Sequence, residues 1–268
     1  MEKKILYLLT CVGLCWSSCT NEVDEFIGNV EPSTRSVSTA LNANLASLFT
    51  GGAPTLTSAE IKEVNDAYAK MTSINCYRNI DEAVRNKTSY AGTIFLDDTY
   101  ASAYFRKGSL AFPPYGILAS SMEHEFIHMY QRDVQGKKVD TDKEKRDTGM
   151  MEFELAFYQG IIRYIHAGYS WTFKGEDGDP SYQSLWTSGL TDPSLIPQYE
   201  REFQTYVASI CANGKPTSID INEFVKWSNI FGEYSRGYSG KGYKFGNYDY
   251  GTSCLSLIHI SEPTRHAQ

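Results

Sequence analysis

No stretch of this 268-residue sequence is strongly basic, and 25 lysines and arginines stand against 32 acidic residues. The formal charge of -7 is spread along the chain, without the cluster of cations that a nucleic-acid surface needs. We therefore expect no nucleic-acid partner. Hydrophobic residues make up 41% of the chain, which is enough for a packed core, and a single folded domain is expected.

The apolar stretch near the start, Ile5–Leu14, is too short to span a bilayer. Lysines precede it and small residues follow it, which is typical of a secretory signal peptide. The segment Trp16–Cys19 resembles a bacterial lipobox, in which the cysteine is acylated and becomes the first residue. We expect a lipoprotein signal peptide over 1–19 with lipidation at Cys19. A plain cleaved signal peptide is the alternative.

Polar residues dominate 20–37, which we predict to be a tether between the membrane and the folded domain. The start of this tether, Thr20–Glu25, is similar to the acidic export signal of surface-exposed lipoproteins in some Gram-negative bacteria. Together these features predict an outer-membrane lipoprotein, exposed at the cell surface. Its lipid anchor makes the outer membrane an expected partner.

Cysteine is scarce beyond the leader, where it occurs as Cys76, Cys211 and Cys254. These residues have no CxxC spacing, so they do not suggest a metal site built from thiolates. A secreted protein folds in an oxidising compartment, where disulfides are stable. The spacing allows a disulfide between Cys76 and Cys211, and it equally allows two separate thiols.

The last segment, Leu255–Arg265, resembles the translation of a sequencing adapter. We therefore treat 255–268 as an artefactual tail and expect the folded domain to cover 38–254. In that case His259 and His266 belong to no site. A genuine short amphipathic tail is the alternative.

The spacing of apolar residues predicts an α+β domain with a mainly helical C-terminal part, and we expect its strands to belong to a small mixed sheet. Two strands are expected over 90–96 and 102–112, most simply as a hairpin with a turn at Asp97 and Asp98. Helices are expected over 58–73, 116–132, 148–166, 197–212 and 220–233.

The segment His124–His128, with the sequence HEFIH, lies in the helix expected over 116–132. Its two histidines are one turn apart on one face and can share a metal ion, for which zinc is the usual choice. Glu125 is turned about 100° from His124, so it can reach a metal-bound water without binding the metal. The pattern predicts a Zn²⁺ cofactor and a general base for hydrolysis. A surface histidine pair without a role is the alternative.

Met122–Gln131 and the later Met151–Leu155 resemble the zincin superfamily of zinc metallopeptidases, and within it the gluzincin branch. The resemblance covers the region from 90 to 165. It implies a zincin-like fold and a glutamate ligand from a helix C-terminal to the HExxH helix. It also implies that a strand preceding the HExxH helix pairs with an extended substrate.

Other residues near the motif refine this resemblance. Gln131 and Val134 stand where metzincins have a glycine and a third histidine, which disfavours that branch. Gln131 lies on the face of the two histidines, either as a partner of a ligand or as a partly exposed glutamine without a role. A side chain that stabilises the oxyanion is also expected, and the sequence leaves His166, Tyr169 and later tyrosines as alternatives.

Glu152 and Glu154 are the candidates for the glutamate ligand, and two residues apart on a helix they cannot both face one metal. On a helical wheel Glu154 falls in the apolar sector with Phe153 and Phe157, whereas Glu152 falls on the polar side. A zinc ion would compensate a carboxylate among apolar side chains, so Glu154 is favoured and Glu152 is the alternative. A buried arginine or lysine beside Glu154 would also explain its position.

The expected function is zinc-dependent hydrolysis of peptide bonds in a protein or peptide substrate. A surface lipoprotein that keeps the same architecture but only binds glycan or protein is the alternative. The intact Glu125 argues against that alternative, because binding alone does not need a general base.

Overall fold

The computed structural model describes residues 40–100, 102–137, 145–166, 193–211 and 220–234. These residues form seven α-helices and one three-stranded sheet, which is a mostly helical α+β arrangement. The expected α+β class with a small mixed sheet is confirmed at this level. The expected signal peptide, Cys19, the tether over 20–37 and the tail over 255–268 lie outside the described residues.

The N-terminal helices are α1 (Ala43–Leu48), α2 (Ser58–Ser73) and α3 (Asn75–Lys87). Helix α2 has the predicted bounds, because Thr57 and Glu60 form a capping box at its start. Helix α3 is absent from the sequence predictions, since its N-cap residue Ile74 makes no capping hydrogen bond and marks no helix start. Its buried apolar residues nevertheless recur at helical spacing: Cys76, Tyr77, Ile80 and Val84.

The sheet consists of three short strands, β1 (Ile94–Leu96), β2 (Tyr104–Arg106) and β3 (Ser109–Phe112). Their order is β1-β3-β2, so β3 is the central strand. Strand β3 pairs with β1 in parallel and with β2 antiparallel. The sheet is therefore mixed, as expected, and β2 forms one of its edges.

The observed pairing corrects the hairpin predicted between 90–96 and 102–112. The hairpin lies within the second segment, as β2-β3, and the first segment joins it as the parallel strand β1. Lys107 and Gly108 make the turn between β2 and β3 with φ of 51° and 77°, as a two-residue hairpin turn requires. Lysine is an unusual first residue for such a turn, which hides the turn in the sequence.

The C-terminal part of the described chain is helical, as expected. Helix α4 (Ala119–Met129) carries the HExxH motif and continues into one π-helical turn, Tyr130–Val134. It is followed by α5 (Lys145–His166), α6 (Ile196–Ile210) and α7 (Ile221–Tyr234). The predicted helices of this region are confirmed to within a few residues at each end. Among the described helices, none combines the length and the apolar composition needed to cross a membrane.

Helix α5 is buried on all sides between positions 153 and 162. Its Phe153 and Phe157 pack against each other and against Phe203 of α6 and Phe224 of α7. Gln159, a polar residue of the same helix, is also fully buried. Helix α4 in turn contacts α2, α3, α5 and β2. This packing brings the HExxH motif next to the start of the buried part of α5.

Cys76 and Cys211 are both buried, and no disulfide joins them. Of the two alternatives that the sequence allows, the structure therefore has separate thiols. Burial raises the pKa of the Cys211 thiol to about 12, which keeps it protonated and unreactive near neutral pH. Both cysteines serve as small apolar core residues.

Candidate metal centre

Helix α4 brings the two histidines of the motif into contact. The Nε2 atoms of His124 and His128 lie 3.1 Å apart, and the ring centroids lie 4.7 Å apart. The helical spacing of four residues is sufficient to produce this proximity. The side chains are 22% and 18% exposed, so both rings are largely covered and still accessible from solvent.

Glu152 reaches the same point from helix α5. Its Oε1 lies 3.3 Å from Nε2 of His128, and its Oε2 lies 3.8 Å from Nε2 of His124. One ligand atom from each of the three side chains lies within 4.8 Å of the other two. We call these three residues the His–His–Glu group. Within the described residues, it is the group of His, Cys, Asp and Glu side chains that could hold a metal ion.

Glu154, the favoured ligand on sequence grounds, lies away from the histidines. It is fully buried, as the wheel predicts, but its Oε2 accepts hydrogen bonds from Lys137 Nζ at 2.6 Å and Gln131 Nε2 at 2.7 Å. Lys137 thus compensates the buried carboxylate, which is the role that the prediction gave to zinc. The helical wheel gives the wrong ligand because it assumes that the polar side of α5 meets water. Helix α5 is instead buried on all sides over 153–162, and the side that carries Glu152 contacts α4.

Gln131 lies in the π-helical turn after α4 and is fully buried. Its Oε1 lies 3.0 Å from Nδ1 of His128, and its Nε2 donates to the Met151 carbonyl at 2.9 Å. Single π-helical turns are frequent at functional sites. Of the two alternatives from the sequence, the structure has Gln131 as a partner of His128 and excludes an exposed glutamine.

The pKa values of the two histidines are shifted in opposite directions. Burial, and then the charge of His128, lower the pKa of His124 to about 4, against the opposing effect of Glu152. Burial also acts to lower the pKa of His128, but the charge and the hydrogen bond of Glu152 outweigh it, and that pKa rises to about 9. At neutral pH the metal-free group therefore holds a proton on His128. A cation that binds here takes the place of that proton.

Glu125 lies beside the His–His–Glu group without belonging to it. Its Oε1 is 4.0 Å from Nε2 of His124, and its side chain is 7% exposed. Burial raises the pKa of Glu125 to about 8, and the Glu152 carboxylate adds to this rise. The charge of His128 and a backbone hydrogen bond from Phe105 act in the opposite direction. A carboxyl group with a pKa near neutrality is suited to accept and return a proton.

The three ligand atoms fit a tetrahedral metal site. Zinc binds imidazole nitrogen and carboxylate oxygen at about 2.0 to 2.2 Å, so its ligand atoms lie about 3.3 Å from one another. The two Nε2 atoms are 3.1 Å apart, and the two oxygens of Glu152 lie 3.3 Å from Nε2 of His128 (Oε1) and 3.8 Å from Nε2 of His124 (Oε2), which is close to this value. Two imidazoles and one carboxylate are also the donor set of catalytic zinc sites that keep a position for water.

A cluster at the end of α4 is absent from the sequence predictions. The Arg132 guanidinium lies 4.3 Å from the ring centroid of Phe105 and 5.4 Å from that of Tyr90. Asp133 accepts hydrogen bonds from the Tyr90 hydroxyl and from Arg132. These contacts fasten β2 to the π-helical turn, which holds the backbone of Phe105 against Glu125. The adjacent charged residues Arg132 and Asp133, a few positions after the motif, are the only indication of this cluster in the sequence.

Two further expectations concern the surroundings of the group. The resemblance implies a substrate-pairing strand before the HExxH helix, and within 102–112 β2 lies at the side of the sheet whereas β3 is central. The N–H of Phe105 in β2 is donated to Glu125. Among the candidates for oxyanion stabilisation, Tyr169 and the side chain of His166 lie outside the described residues.

Comparisons of the chain with protein-family models, curated proteins and solved structures find no significant match. The resemblance to zincins therefore depends on the residues of the motif and of α5. The function is inferred from the geometry that these residues adopt.

Proposed function

We propose that this protein is a zinc-dependent hydrolase of peptide bonds, with a zincin-like fold and a gluzincin type of site. The observation that carries the proposal is the convergence of His124, His128 and Glu152 on one point beside Glu125. Two of the proposed ligands come from an HExxH helix and the third from a later helix, as the resemblance to gluzincins implies. Glu152 replaces Glu154 as the third proposed ligand because of its position.

The residues of the site divide into ligands and a base. His124, His128 and Glu152 would hold the zinc ion, which supplies a lowered pKa for water and polarisation of a carbonyl group. Glu125 accepts the proton of the attacking water and passes it to the leaving amine. Its burial and the hydrogen bond from Phe105 keep its carboxylate oriented for this transfer.

Strand β2 is the element we propose for substrate binding. The pair Arg106–Ser109 closes the turn, and Phe105 lies opposite Leu110 in the next pair of the hairpin. In such a pair the backbone N–H and C=O of Phe105 point away from β3. The backbone hydrogen bond from Phe105 to Glu125 supports this orientation. Because the N–H of Phe105 is already donated to Glu125, an extended peptide that adds to this edge would pair with the carbonyl of Phe105. It would lie along the base, with affinity from backbone hydrogen bonds and little sequence preference.

The proposal places the protein on the outer membrane as a surface-exposed lipoprotein, and the sequence around Cys19 supports this location. Its substrate would then be a protein or peptide outside the cell, and no nucleic acid is involved. The alternative is a non-catalytic lipoprotein that binds glycan or protein. The buried, hydrogen-bonded Glu125 favours catalysis, because a base held beside metal ligands is of no use to binding alone.

Metal analysis with an activity assay tests the proposal. The purified protein should contain about one zinc per chain. It should cleave a denatured protein substrate, stop when a chelator removes the metal and recover with added zinc. His124→Ala should lose both zinc and cleavage, whereas His259→Ala, in the expected tail, should lose neither. Zinc without cleavage would favour the binding alternative, and a protein without zinc would refute the proposal.

Zinc affinity should rise with pH up to about 9. The pKa of His128 is raised to about 9, so below this pH the ring holds a proton that zinc must displace. Each pH unit should therefore strengthen binding by up to about tenfold until the pKa is passed. The pKa of His124 is lowered to about 4, so this ring adds no competition at neutral pH. Competition titrations at several pH values measure this slope, and a flat profile below pH 9 would contradict it.

A further inference from the structure

Gln131 makes three hydrogen bonds from a fully buried position. Its Nε2 donates to the carbonyl of Met151 at 2.9 Å and to Oε2 of Glu154 at 2.7 Å. Its Oε1 lies 3.0 Å from Nδ1 of His128. The amide thus joins the end of α4 to α5, the helix that supplies Glu152.

The partners of Gln131 determine which way its amide points. A backbone carbonyl and a carboxylate offer only lone pairs, so both must face the NH₂ end of the amide. The oxygen end is then the one that faces His128, and an amide oxygen can only accept. The hydrogen bond at 3.0 Å therefore requires a proton on Nδ1 of His128.

Lys137 completes this chain of contacts. Its Nζ donates to Oε2 of Glu154 at 2.6 Å, and its side chain is 14% exposed while that of Glu154 is fully buried. The ammonium group compensates the carboxylate, whose Oε2 also accepts from Gln131. The ion pair therefore sets the orientation of the Gln131 amide, and this orientation places the amide oxygen next to the ring of His128.

We infer that Gln131 is a positioning residue of the site, oriented by Glu154 and Lys137. Its Oε1 accepts from Nδ1–H of His128, and this leaves Nε2 as the ring nitrogen that faces His124 and Glu152. The role of Nε2 as a metal ligand rests on the proposed function, whereas the protonation of Nδ1 does not. Outer partners of this kind change metal affinity although they never touch the metal.

Nuclear magnetic resonance of the ring nitrogens tests the tautomer directly. The full chain carries Glu152→Ala, which removes the acceptor that faces Nε2 of His128. It is labelled with ¹⁵N-histidine, freed of zinc and studied at a pH where the His128 ring is neutral. His128→Gln identifies the signals of this residue among the five histidines. We expect Nδ1 of His128 to carry the proton and Nε2 to be bare. A bare Nδ1 in the folded Glu152→Ala protein would overturn the inference.

A pair of matched variants tests the effect on zinc. Gln131→Leu removes the acceptor of His128, and zinc affinity should fall by about 10- to 100-fold. Gln135→Leu makes the same change four residues later, at a glutamine whose buried amide makes no hydrogen bond within the described residues, and should leave zinc affinity unchanged. Equal affinities for wild type and Gln131→Leu, with both proteins folded by circular dichroism, would overturn the inference.

The two measurements separate this inference from the proposed function. If the wild-type protein binds no zinc and the Glu152→Ala protein has the proton on Nδ1, the function is refuted and the positioning of the ring by Gln131 is supported. A wild-type protein that binds zinc equally well after Gln131→Leu would support the function and refute the positioning role. If Gln131→Leu does not fold, the tautomer of the Glu152→Ala protein decides.

Discussion

Glu125→Gln is expected to keep about one zinc per chain and to lower turnover by at least about 100-fold. The side chain does not belong to the His–His–Glu group, and its Oε1 lies 4.0 Å from Nε2 of His124, so the change removes no proposed ligand. The amide has nearly the shape of the carboxyl group but cannot take a proton from water at neutral pH. Loss of the base with the metal retained is the expected signature.

The measurement combines metal analysis with turnover of a cleavable protein. Glu123→Gln is the matched control, since it makes the same chemical change on the same helix at a residue to which we assign no part in the reaction. It should retain both zinc and activity. Full activity of Glu125→Gln would refute the proposed mechanism, while loss of zinc from Glu125→Gln would show that Glu125 helps to hold the metal.

Glu152→Ala should mainly weaken zinc binding, whereas Glu154→Ala should mainly lower the stability of the fold. Glu152→Ala removes a proposed ligand, so zinc affinity should fall by more than the 10- to 100-fold typical of outer partners, that is, by more than about 100-fold. Glu154→Ala takes away the carboxylate that compensates the ammonium group of Lys137, 2.6 Å away and largely buried. The free energy of unfolding should then fall by about 3 kcal/mol. Its zinc affinity should fall less, through the loosened amide of Gln131.

Zinc competition titrations and urea unfolding of the metal-free proteins measure the two effects separately. Removing the metal before unfolding matters, because bound zinc stabilises the folded state by mass action. The expected pattern is weak zinc with ordinary stability for Glu152→Ala, and lower stability with moderately weakened zinc for Glu154→Ala. If Glu154→Ala had the larger loss of zinc affinity, the third ligand would be Glu154 and not Glu152.

The HExxH part of the site could be read from the sequence because it depends on one helix. Residues four apart on an α-helix lie on one face, so His124 and His128 are neighbours wherever the helix packs. The burial of Glu154 could also be predicted, since its neighbours Phe153 and Phe157 show which side of α5 is apolar. The capping box at Thr57 likewise identified the start of α2.

The pairing of the strands could not be read in the same way. The apolar residues of 90–96 and 102–112 indicate extended structure but do not say which strands are neighbours. The turn at Lys107 and Gly108 lacks the usual first residue, and the parallel pairing of β1 with β3 joins residues sixteen positions apart, such as Ile94 and Leu110. The edge at β2 beside Glu125 therefore appears only in the folded chain.

The sequence by itself determined the two histidines, the candidate base and the short list of glutamates, because helical periodicity relates residues that are close along the chain. Only the tertiary structure decided between Glu152 and Glu154. A helical wheel separates polar from apolar sides on the assumption that the polar side meets water. This assumption fails because α5 is buried on all sides over 153–162. Its side with Glu152 contacts the histidines of α4, and its side with Glu154 contacts Gln131 and Lys137.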